Sequence, residues 1–369
     1  MMNLYENIPC LWDRLAEEKR TVVLYGMGNG ADKILDICNQ RGIAVSDVFA
    51  SDGFVRGQIF HGRRVLSWSE VKATYGAENL TVLLSFGSSL PEVLENIQKI
   101  ADEAELLAPD VPAFGDTLFD RDFLNRHVSE LTQVREMLAD DESRRIFDLV
   151  VEYKLSGNIK PLLEARSDPD EVMRTLVRPT ELKRTADLGA YNGDSIRELL
   201  SFGARPECIY AMEPDRRNFK KLSIYAEGEA RTQVLPTQAA AWSRCETLCF
   251  DASGNRNASA ESNRSKILSD RPAKTVELLA DTLDRVVGSD SLDYIKYDVE
   301  GSEREALIGS TDTIARSHPT LLVSLYHRSE DLFALPLFIR ERFPNYNRFY
   351  LRRFGGVPAW DLNLYVRKE

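Results

Sequence analysis

Short apolar runs alternate with amphipathic stretches over the first third of the chain. The runs TVVLYG, IAVSDVFA and LTVLLSF predict buried β-strands, and ADKILDICNQ and LPEVLENIQKIA carry apolar residues at helical spacing. Strands that alternate with helices in this way are typical of a parallel sheet covered by helices. We therefore predict an α/β domain over residues 1–115.

The pattern becomes helical in the next part of the chain. DFLNRHVSELTQVREML and ESRRIFDLVVEYKL carry apolar residues at helical spacing, and Gly157 follows the second stretch as a stop signal. Three prolines between residues 158 and 180 predict irregular structure there. We expect residues 116–180 to form a helical connector.

Strand-like runs return over residues 181–369. TADLG, ECIYAMEP, TQVLPTQ, SLDYIKYDVEG and TLLVSLYH each lead into a polar or glycine-containing turn, which predicts a second α/β domain. The last two runs, NRFYLRRF and DLNLYVRKE, predict an antiparallel pair at the sheet edge, with Arg352 and Arg353 solvated. The stretch 251–273 is rich in Ser, Asn and Arg and predicts a loop or lid.

Composition and charge narrow the class of protein. A length of 369 residues corresponds to two or three domains, and 43% hydrophobic and 28% charged residues are typical of a soluble globular chain. The net charge of −11 disfavours a general role on nucleic acid or anionic lipid. Neither a signal peptide nor an apolar run of about 20 residues is evident. These features predict a cytoplasmic protein without a membrane span or a nucleic-acid partner.

A first glycine turn follows the first predicted strand. The segment YGMGNGA places Gly26, Gly28 and Gly30 between a strand and a helix, where glycines allow a close approach to a phosphate. Asp52, after the second strand, is positioned to accept a ribose hydroxyl. The spacing GxGxGA departs from GxGxxG, so a nucleotide or sugar-nucleotide site and a tight turn that binds nothing both remain open.

A second glycine turn, in TADLGAYNGDS, carries acidic residues. Asp187 ends a strand, Gly189 and Gly193 lie in the turn, and Asp194 begins a helix. Glu213 ends the next strand, where a carboxylate can accept from both hydroxyls of a ribose. Because acidic groups repel a pyrophosphate, this turn suits the ammonium and sulfonium centres of S-adenosylmethionine better than NAD.

The segments DLGAYNGDS, AMEPD, QAAAW and IKYDVEGSEREAL, in that order, resemble the FkbM-type family of S-adenosylmethionine-dependent methyltransferases. The resemblance covers about residues 185–327, and it implies a seven-stranded class I sheet with one antiparallel strand. It also implies that Glu213 holds the ribose. By the same resemblance, the methionine half of the cofactor is wrapped by Asp187, Gly189, Ala190, Asn192 and Gly193, and adenine is contacted by Gln238, Ala239 and Ala240. Asn192 stands where the family often has an acidic residue.

The segment IKYDVEG carries the candidate chemistry. Lys296, Asp298 and Glu300 are spaced two apart and are expected on one side of an extended strand. Methyl transfer to a hydroxyl needs a base, for which Asp298 and His327 are the candidates, with Glu300 the runner-up that orients the acceptor. Two carboxylates are too few for a metal site, so no metal is expected.

The residues that follow IKYDVEG have a structural interpretation. Ser302 and Glu305 fit a capping box that starts the next helix, and Glu303 fits the favourable end of the helix dipole. Neither feature predicts a role in chemistry.

The predicted fold class is thus α/β, with two Rossmann-like three-layer domains, of which the C-terminal one (181–369) has a methyltransferase sheet and a terminal antiparallel hairpin. The predicted function is S-adenosylmethionine-dependent methylation of a hydroxyl on a sugar, glycan or natural product, a small-molecule acceptor, with a possible nucleotide-sugar at the first domain. The alternative is an NAD-, nucleotide- or sugar-nucleotide-binding protein that uses the first glycine turn, with the second domain a non-catalytic cofactor sensor.

Overall fold

The structure of the chain is a computed structural model that describes residues 5–251 and 275–369. Most of the polar stretch 251–273, which was expected to be a loop or lid, lies outside the described residues. The described part contains an N-terminal α/β domain, a helical connector and a C-terminal α/β domain, which confirms the predicted fold class.

The N-terminal domain has a five-stranded parallel sheet in the order β5-β2-β1-β6-β7. Its strands are β1 (Thr21–Tyr25), β2 (Val45–Ala50), β5 (Leu66–Ser67), β6 (Leu80–Leu84) and β7 (Glu105–Leu107), and β3 (Ile59–Phe60) and β4 (Arg63–Arg64) form a separate hairpin. Its helices are α1 (Leu11–Ala16), α2 (Asn29–Gln40), α3 (Trp68–Tyr75) and α4 (Pro91–Glu103). The chain passes to the other side of β1 between β5 and β6, so the carboxyl ends of β1 and β6 form a topological switch point.

The connector is built from helices α5 (Arg121–Met137), α6 (Asp141–Ser156), α7 (Ile159–Glu164) and α8 (Pro169–Val172). A π-helical turn, Met173–Val177, continues α8. The expectation that residues 158–180 are irregular was therefore wrong. Asn158 and Asp168 cap α7 and α8 with their side chains, and Pro169 occupies the first turn of α8, where a missing N–H costs nothing.

The C-terminal domain has a seven-stranded sheet in the order β10-β9-β8-β14-β15-β17-β16. Its strands are β8 (Arg184–Leu188), β9 (Cys208–Met212), β10 (Gln233–Thr237), β14 (Tyr294–Tyr297), β15 (Thr320–Ser324), β16 (Arg348–Arg353) and β17 (Leu362–Arg367). β17 runs antiparallel to β15 and to β16, which confirms the predicted terminal pair. A three-stranded sheet contains β11 (Ala240–Ala241), β12 (Glu246–Asp251) and β13 (Thr275–Asp281).

Six helices accompany this sheet in the described part of the chain. They are α9 (Asp194–Ser201), α10 (Arg216–Gly228), α11 (Leu283–Val287), α12 (Glu303–Ile308), α13 (Thr311–Ser317) and α14 (Asp331–Arg342). The main hydrophobic core includes buried residues of the N-terminal sheet, the connector and the C-terminal sheet, whereas a second cluster lies under α9 and contains Tyr294, Leu322 and Tyr365.

The terminal hairpin is fixed to the connector by the two arginines that were expected to be solvated. Arg352 is 6% exposed and pairs with Asp140 at 2.6 Å and Glu142 at 3.3 Å. Arg353 is fully buried and donates to the Leu162 carbonyl at 2.7 Å. The expectation was wrong because tertiary contacts with α6 and α7 provide the partners that a sequence pattern cannot show.

The N-terminal segment and the C-terminal sheet meet at two places. The Phe114 amide donates to the His327 carbonyl at 3.0 Å, and the Ser329 hydroxyl donates to the Thr117 carbonyl at 2.6 Å. Ser88, just after β6, exchanges backbone hydrogen bonds of 2.8 and 3.1 Å with Val357 in the β16–β17 loop. The C-terminal domain therefore contacts the switch-point edge of the N-terminal sheet.

Candidate active site

The second glycine turn lies at the carboxyl end of β8. The Gly189 and Ala190 amides both donate to the Met212 carbonyl at 3.0 Å, which binds the turn to the end of β9. Gly189 has φ +83°, and a Cβ there would lie 1.9 Å from the Asp298 carbonyl oxygen. Because any larger residue would clash with the backbone of the next strand, glycine is required for β8 and β14 to end side by side.

Glu213 lies at the end of β9, directly beside this turn, and is 6% exposed. Its two carboxylate oxygens accept from the Tyr191 amide at 2.9 Å and the Asp215 amide at 2.8 Å. Burial raises the pKa of Glu213 to about 7. Each carboxylate oxygen retains a lone pair, so the group can still accept hydrogen bonds from a diol.

The residues expected to contact adenine follow β10, the neighbour of β9. The Glu213 amide donates to the Thr237 carbonyl at 3.1 Å, so the ends of β9 and β10 lie together. Gln238 is exposed, Ala239 is 4% exposed and Ala240 is half-buried. The residues expected to contact the methionine half, the ribose and the adenine of the cofactor therefore follow the neighbouring strands β8, β9 and β10, at the carboxyl end of each strand.

Two further residues of the turn have local partners. Asn192 accepts from the Arg197 guanidinium through its backbone and side-chain oxygens at 3.0 and 3.3 Å. Asp194, the first residue of α9, accepts from the Ser195 amide at 2.9 Å and is exposed. Gly193 has φ +84° and packs on the Tyr225 ring, where a Cβ would lie 2.6 Å away.

Three charged side chains form a row from β8 to the end of β14. Lys296 Nζ lies 3.3 Å from Asp187 Oδ1 and 3.4 Å from Asp298 Oδ2. The Ser195 hydroxyl donates to Asp187 Oδ2 at 2.5 Å. Burial acts to lower the pKa of Lys296, but the charges of Asp187 and Asp298 raise it above its ordinary value. The lysine is therefore a cation held between two carboxylates.

Asp298 is the most connected of these groups. Its Oδ1 accepts from the Ser324 hydroxyl at 3.0 Å and the Tyr326 hydroxyl at 2.8 Å, and lies 3.6 Å from His327 Nε2. Burial acts to raise the pKa of Asp298, but Lys296, His327 and these hydrogen bonds lower it to about 2. Asp298 is therefore an ionised hydrogen-bond acceptor at neutral pH.

His327 is buried against Glu303, a residue that the sequence analysis assigned only to a helix end. The imidazole Nδ1 lies 2.9 Å from Glu303 Oε1, and both residues are 1% exposed. The two atoms form a close ion pair, but their angle does not meet the geometry of a hydrogen bond. Burial acts to lower the pKa of His327, but Glu303, with Asp298 and Glu300, raises it to about 9. His327 is thus an imidazolium at neutral pH.

The expected capping box is absent from this turn. Ser302 makes no side-chain cap, and its hydroxyl instead donates to the Val299 carbonyl at 2.6 Å. Glu303, rather than Glu305, accepts from the Val299 amide at 3.0 Å and the Gly301 amide at 3.4 Å. The capping-box prediction was wrong because the tight turn directs the Glu303 side chain inward. Its place inside the block IKYDVEGSE was the one signal that pointed to it.

Glu300 does not continue the extended strand. β14 ends at Tyr297, and Glu300 has φ +55° in the following turn. The expectation that its side chain shares one strand face with Lys296 and Asp298 was therefore wrong. The turn nevertheless places Glu300 Oε2 at 3.7 Å from His327 Nε2, with 67% of its side chain exposed. Partial burial of the carboxyl, together with the charges of Asp298 and Glu303, raises the pKa of Glu300 above its ordinary value.

Asp298, Glu303 and His327 also offer ligand atoms within 4.8 Å of one another. Lys296 already neutralises the charge of Asp298, and the His327 imidazolium neutralises that of Glu303. The Glu303 oxygen also accepts hydrogen bonds from two backbone amides. A cation bound there would have to compete with these contacts. The expectation of no metal stays a prediction.

The first glycine turn is explained in part by packing. A Cβ at Gly26 would lie 2.5 Å from the Phe86 ring, and one at Gly30 would lie 2.2 Å from the Ser85 carbonyl oxygen. Gly28 has φ +112° and faces open space. Asp52 accepts from the Ser69 amide at 3.0 Å and hydroxyl at 2.6 Å. A nucleotide or sugar-nucleotide at this turn stays a prediction.

Comparison with known proteins identifies the class. The seven-stranded sheet with its antiparallel terminal strand defines a methyltransferase fold, and residues 187–350 match the profile of the methyltransferase FkbM domain. Over these residues the chain is therefore similar to the methyltransferase FkbM domain. No curated protein sequence matches the chain.

One solved structure supports the fold over both domains. The crystal structure of methyltransferase FkbM from Methylobacillus flagellatus KT is 19% identical, and the alignment covers 96% of this chain and 92% of that chain with a TM-score of 0.70. Two further structures are much less similar. An rRNA methylase from Streptococcus thermophilus is 12% identical, with 50% of this chain and 86% of that chain covered and a TM-score of 0.32. SMU.1697c, a putative methyltransferase from Streptococcus mutans in complex with SAH, is 11% identical, with 55% of this chain and 99% of that chain covered and a TM-score of 0.34. Within the described residues no helix is long and apolar enough to cross a bilayer.

Proposed function

We propose that this protein transfers a methyl group from S-adenosylmethionine to a hydroxyl oxygen of a sugar, glycan or natural product. The observation that carries the proposal is the row Asp187–Lys296–Asp298, which begins at the glycine turn and ends beside His327. This row connects Asp187, at the glycine turn that suits the cofactor, to Asp298, an ionised carboxylate that can receive a proton.

The donor set at the turn fits S-adenosylmethionine. Asp187 and Asp194 supply negative charge for an ammonium and a sulfonium centre, and Glu213 has free lone pairs for the ribose hydroxyls. A dinucleotide would instead bring a pyrophosphate toward these acids. The acidic character of the turn therefore favours the sulfonium cofactor over NAD.

The proposed chemistry is an in-line displacement. When bound, S-adenosylmethionine supplies a methyl group that leaves sulfur without its bonding electron pair and forms a bond to the acceptor oxygen. Asp298 accepts the hydroxyl proton. Although a carboxylate with a pKa of about 2 is a weak base, the hydroxyl becomes strongly acidic as its oxygen acquires positive charge in the transition state.

His327 and Glu300 are assigned supporting roles. As an imidazolium, His327 cannot accept a proton at neutral pH, but with Lys296 it lowers the pKa of Asp298 and so helps to keep that carboxylate ionised. Glu300 is exposed next to it and is positioned to orient the acceptor. Of the three candidate bases, we therefore favour Asp298.

Two measurements test the proposal. Calorimetric titration with S-adenosylhomocysteine and with NAD should show binding of the first and not of the second; the reverse result supports the NAD-binding alternative. Incubation with methyl-¹³C-labelled S-adenosylmethionine and an extract of hydroxylated small molecules, read by ¹³C NMR, should show new O-methyl signals. Label found only in N-methyl or S-methyl groups would contradict hydroxyl transfer.

A further inference from the structure

A cavity of about 810 Å³ lies on one face of the C-terminal sheet. It lies between α9 on one side and the segment Pro169–Val177 on the other, and its floor is formed by residues of β8, β9, β14, β15 and β17. A volume of this size is typical of a small-molecule site.

Most of the cavity wall is apolar. Tyr294, Leu322 and Tyr365 form the floor, and Met173 and Val177 face them from the connector. Thr185 also lines the cavity; its hydroxyl is buried and has no hydrogen-bond partner among the described residues. An unsatisfied hydroxyl of this kind is a group that a bound molecule can satisfy.

The carboxyl-end part of the cavity is acidic. Its lining includes five acids and two bases, which are Asp187, Asp194, Glu198, Asp298 and Asp361, with Arg197 and Lys296. Arg197 is bonded to Asn192 and stacks on Tyr225, and Lys296 lies between Asp187 and Asp298. Asp194, Glu198 and Asp361 are the acids of this lining that are not paired with Lys296, and they carry its excess of negative charge.

Asp361 is the acid of this lining whose backbone and side chain have the least usual surroundings. It has φ +56°, an uncommon conformation for a residue other than glycine, and its carboxylate receives no hydrogen bond from the residues that the structure describes. Asp361 and Glu198 are both exposed to solvent, and they face each other across the cavity lining. Partial burial and the charge of Asp298 raise the pKa of Asp361, and partial burial and the charge of Asp361 raise the pKa of Glu198. A cation bound between these acids would relieve their repulsion.

We propose that this cavity binds the methyl acceptor, and that the acceptor combines an apolar body with an amine, which Asp361 binds, and a hydroxyl, which meets Asp298. This inference rests on the proposed function. It disfavours a sugar nucleotide as occupant of the cavity, because the lining carries five carboxylates against two cationic side chains and a pyrophosphate would add to the excess of negative charge.

The cavity reaches β9 through Ile209, but its lining does not include Glu213 or the residues assigned to adenine, Gln238, Ala239 and Ala240. β9, which carries Glu213, is four strands away from β17, which carries Asn363 at the cavity. At about 4.8 Å per strand, the two ends of the site are roughly 19 Å apart. Asp187, Asp194 and Ser195 lie between them and are common to both regions.

The test uses three matched ligands and protein saturated with S-adenosylhomocysteine. The ligands are n-octyl 6-amino-6-deoxy-β-D-glucoside, its N-acetyl derivative and n-octyl β-D-glucoside 6-phosphate, titrated by calorimetry near neutral pH. We expect the amine to bind about tenfold more tightly than the N-acetyl compound, and the phosphate to bind most weakly. Equal affinities, tightest binding of the phosphate, or no binding of any ligand would overturn the inference.

Two variants locate the binding. Asp361→Asn should remove the preference for the amine and leave the N-acetyl compound unaffected, whereas Asp312→Asn, an exposed control on α13, should change neither. Met173→Trp should block all three ligands and leave the affinity for S-adenosylhomocysteine unchanged. A loss of S-adenosylhomocysteine binding in Met173→Trp would assign the cavity to the cofactor instead. If the unaltered protein fails to bind S-adenosylhomocysteine, the proposed function fails; if that binding is intact without an amine preference, only this inference fails.

Discussion

The Nδ1 atom of His327 lies 2.9 Å from Oε1 of Glu303, and both side chains are buried. The same Glu303 oxygen receives the amides of Val299 and Gly301, so it is fixed by the turn that follows β14. The contact joins the end of β15 to that turn and directs Nε2 of His327 toward Asp298 and Glu300. Glu303 is therefore a positioning residue for the imidazolium.

Replacement of Glu303 by Gln should destabilise the protein by about 3 kcal/mol near pH 7, because it removes the buried carboxylate that lies against Nδ1 of the imidazolium. The native pKa of His327, about 9, is raised above the unfolded value of 6.5. The contribution of this group to stability is therefore complete below pH 6.5 and is lost as the pH rises through 9. Urea unfolding at pH 6 and pH 9.5 measures the difference.

Glu305→Gln is the matched control, since Glu305 lies on the same helix but does not contact His327. It should leave both the stability and its pH dependence unchanged. Equal stability of Glu303→Gln and the unaltered protein at pH 6 would show that the buried pair is not ionised.

Glu213→Gln should weaken binding of S-adenosylhomocysteine and remove its pH dependence. Because the ionised carboxylate is the better acceptor for two hydroxyls, affinity should rise with pH up to about 7 and then level off. We expect the variant to bind at least about tenfold more weakly at pH 8. Calorimetry between pH 5.5 and 8.5 gives both quantities.

Glu207→Gln provides the comparison, because Glu207 lies at the opposite end of β9 and pairs with Arg184 at 2.8 Å. Its binding curve should match that of the unaltered protein. An unchanged affinity in Glu213→Gln would remove this residue from the cofactor site.

The succession of strands and helices and the terminal hairpin could be predicted because they depend on local patterns, such as the alternation of TLLVSLYH with helical stretches. Glu303 could not be assigned in this way. Its neighbours Ser302 and Glu305 satisfied a local capping pattern, whereas its partner His327 lies on another strand. Arg352 and Arg353 were misjudged for the same reason, since their partners belong to the connector. Asp361 carried no sequence signal, because its placement depends on the β16–β17 loop.

Asp298→Asn should reduce turnover by about 10²–10³-fold while changing S-adenosylhomocysteine affinity by less than about threefold. The amide keeps the size of the side chain but cannot take the hydroxyl proton. Ser324→Ala removes one hydrogen bond to the same oxygen and should have a much smaller effect. Loss of cofactor binding or of folding in Asp298→Asn would give this residue a structural role instead.

The pH dependence of turnover separates Asp298 from His327 as the base. With a pKa of about 2, Asp298 is ionised throughout the accessible range, so kcat at saturating S-adenosylmethionine should be flat between pH 5.5 and 8.5. If neutral His327 were the base, kcat would rise about tenfold per unit toward pH 9. A rising profile that Glu303→Gln shifts to lower pH would identify His327.

Removal of divalent metal should leave turnover unchanged. Asp298 and Glu303 are each already paired with a cationic side chain, Lys296 or His327, and a metal ion could bind His327 only after the imidazolium lost its proton. Dialysis against EDTA, followed by assay with and without added Mg²⁺ or Mn²⁺, makes the comparison. Activity that disappears on dialysis and returns with one of these ions would contradict this prediction. Asp298, Glu303 and His327, whose ligand atoms lie within 4.8 Å of one another, would then be the first residues to test as ligands, and Asp298 could not be retained as the proton acceptor without that test.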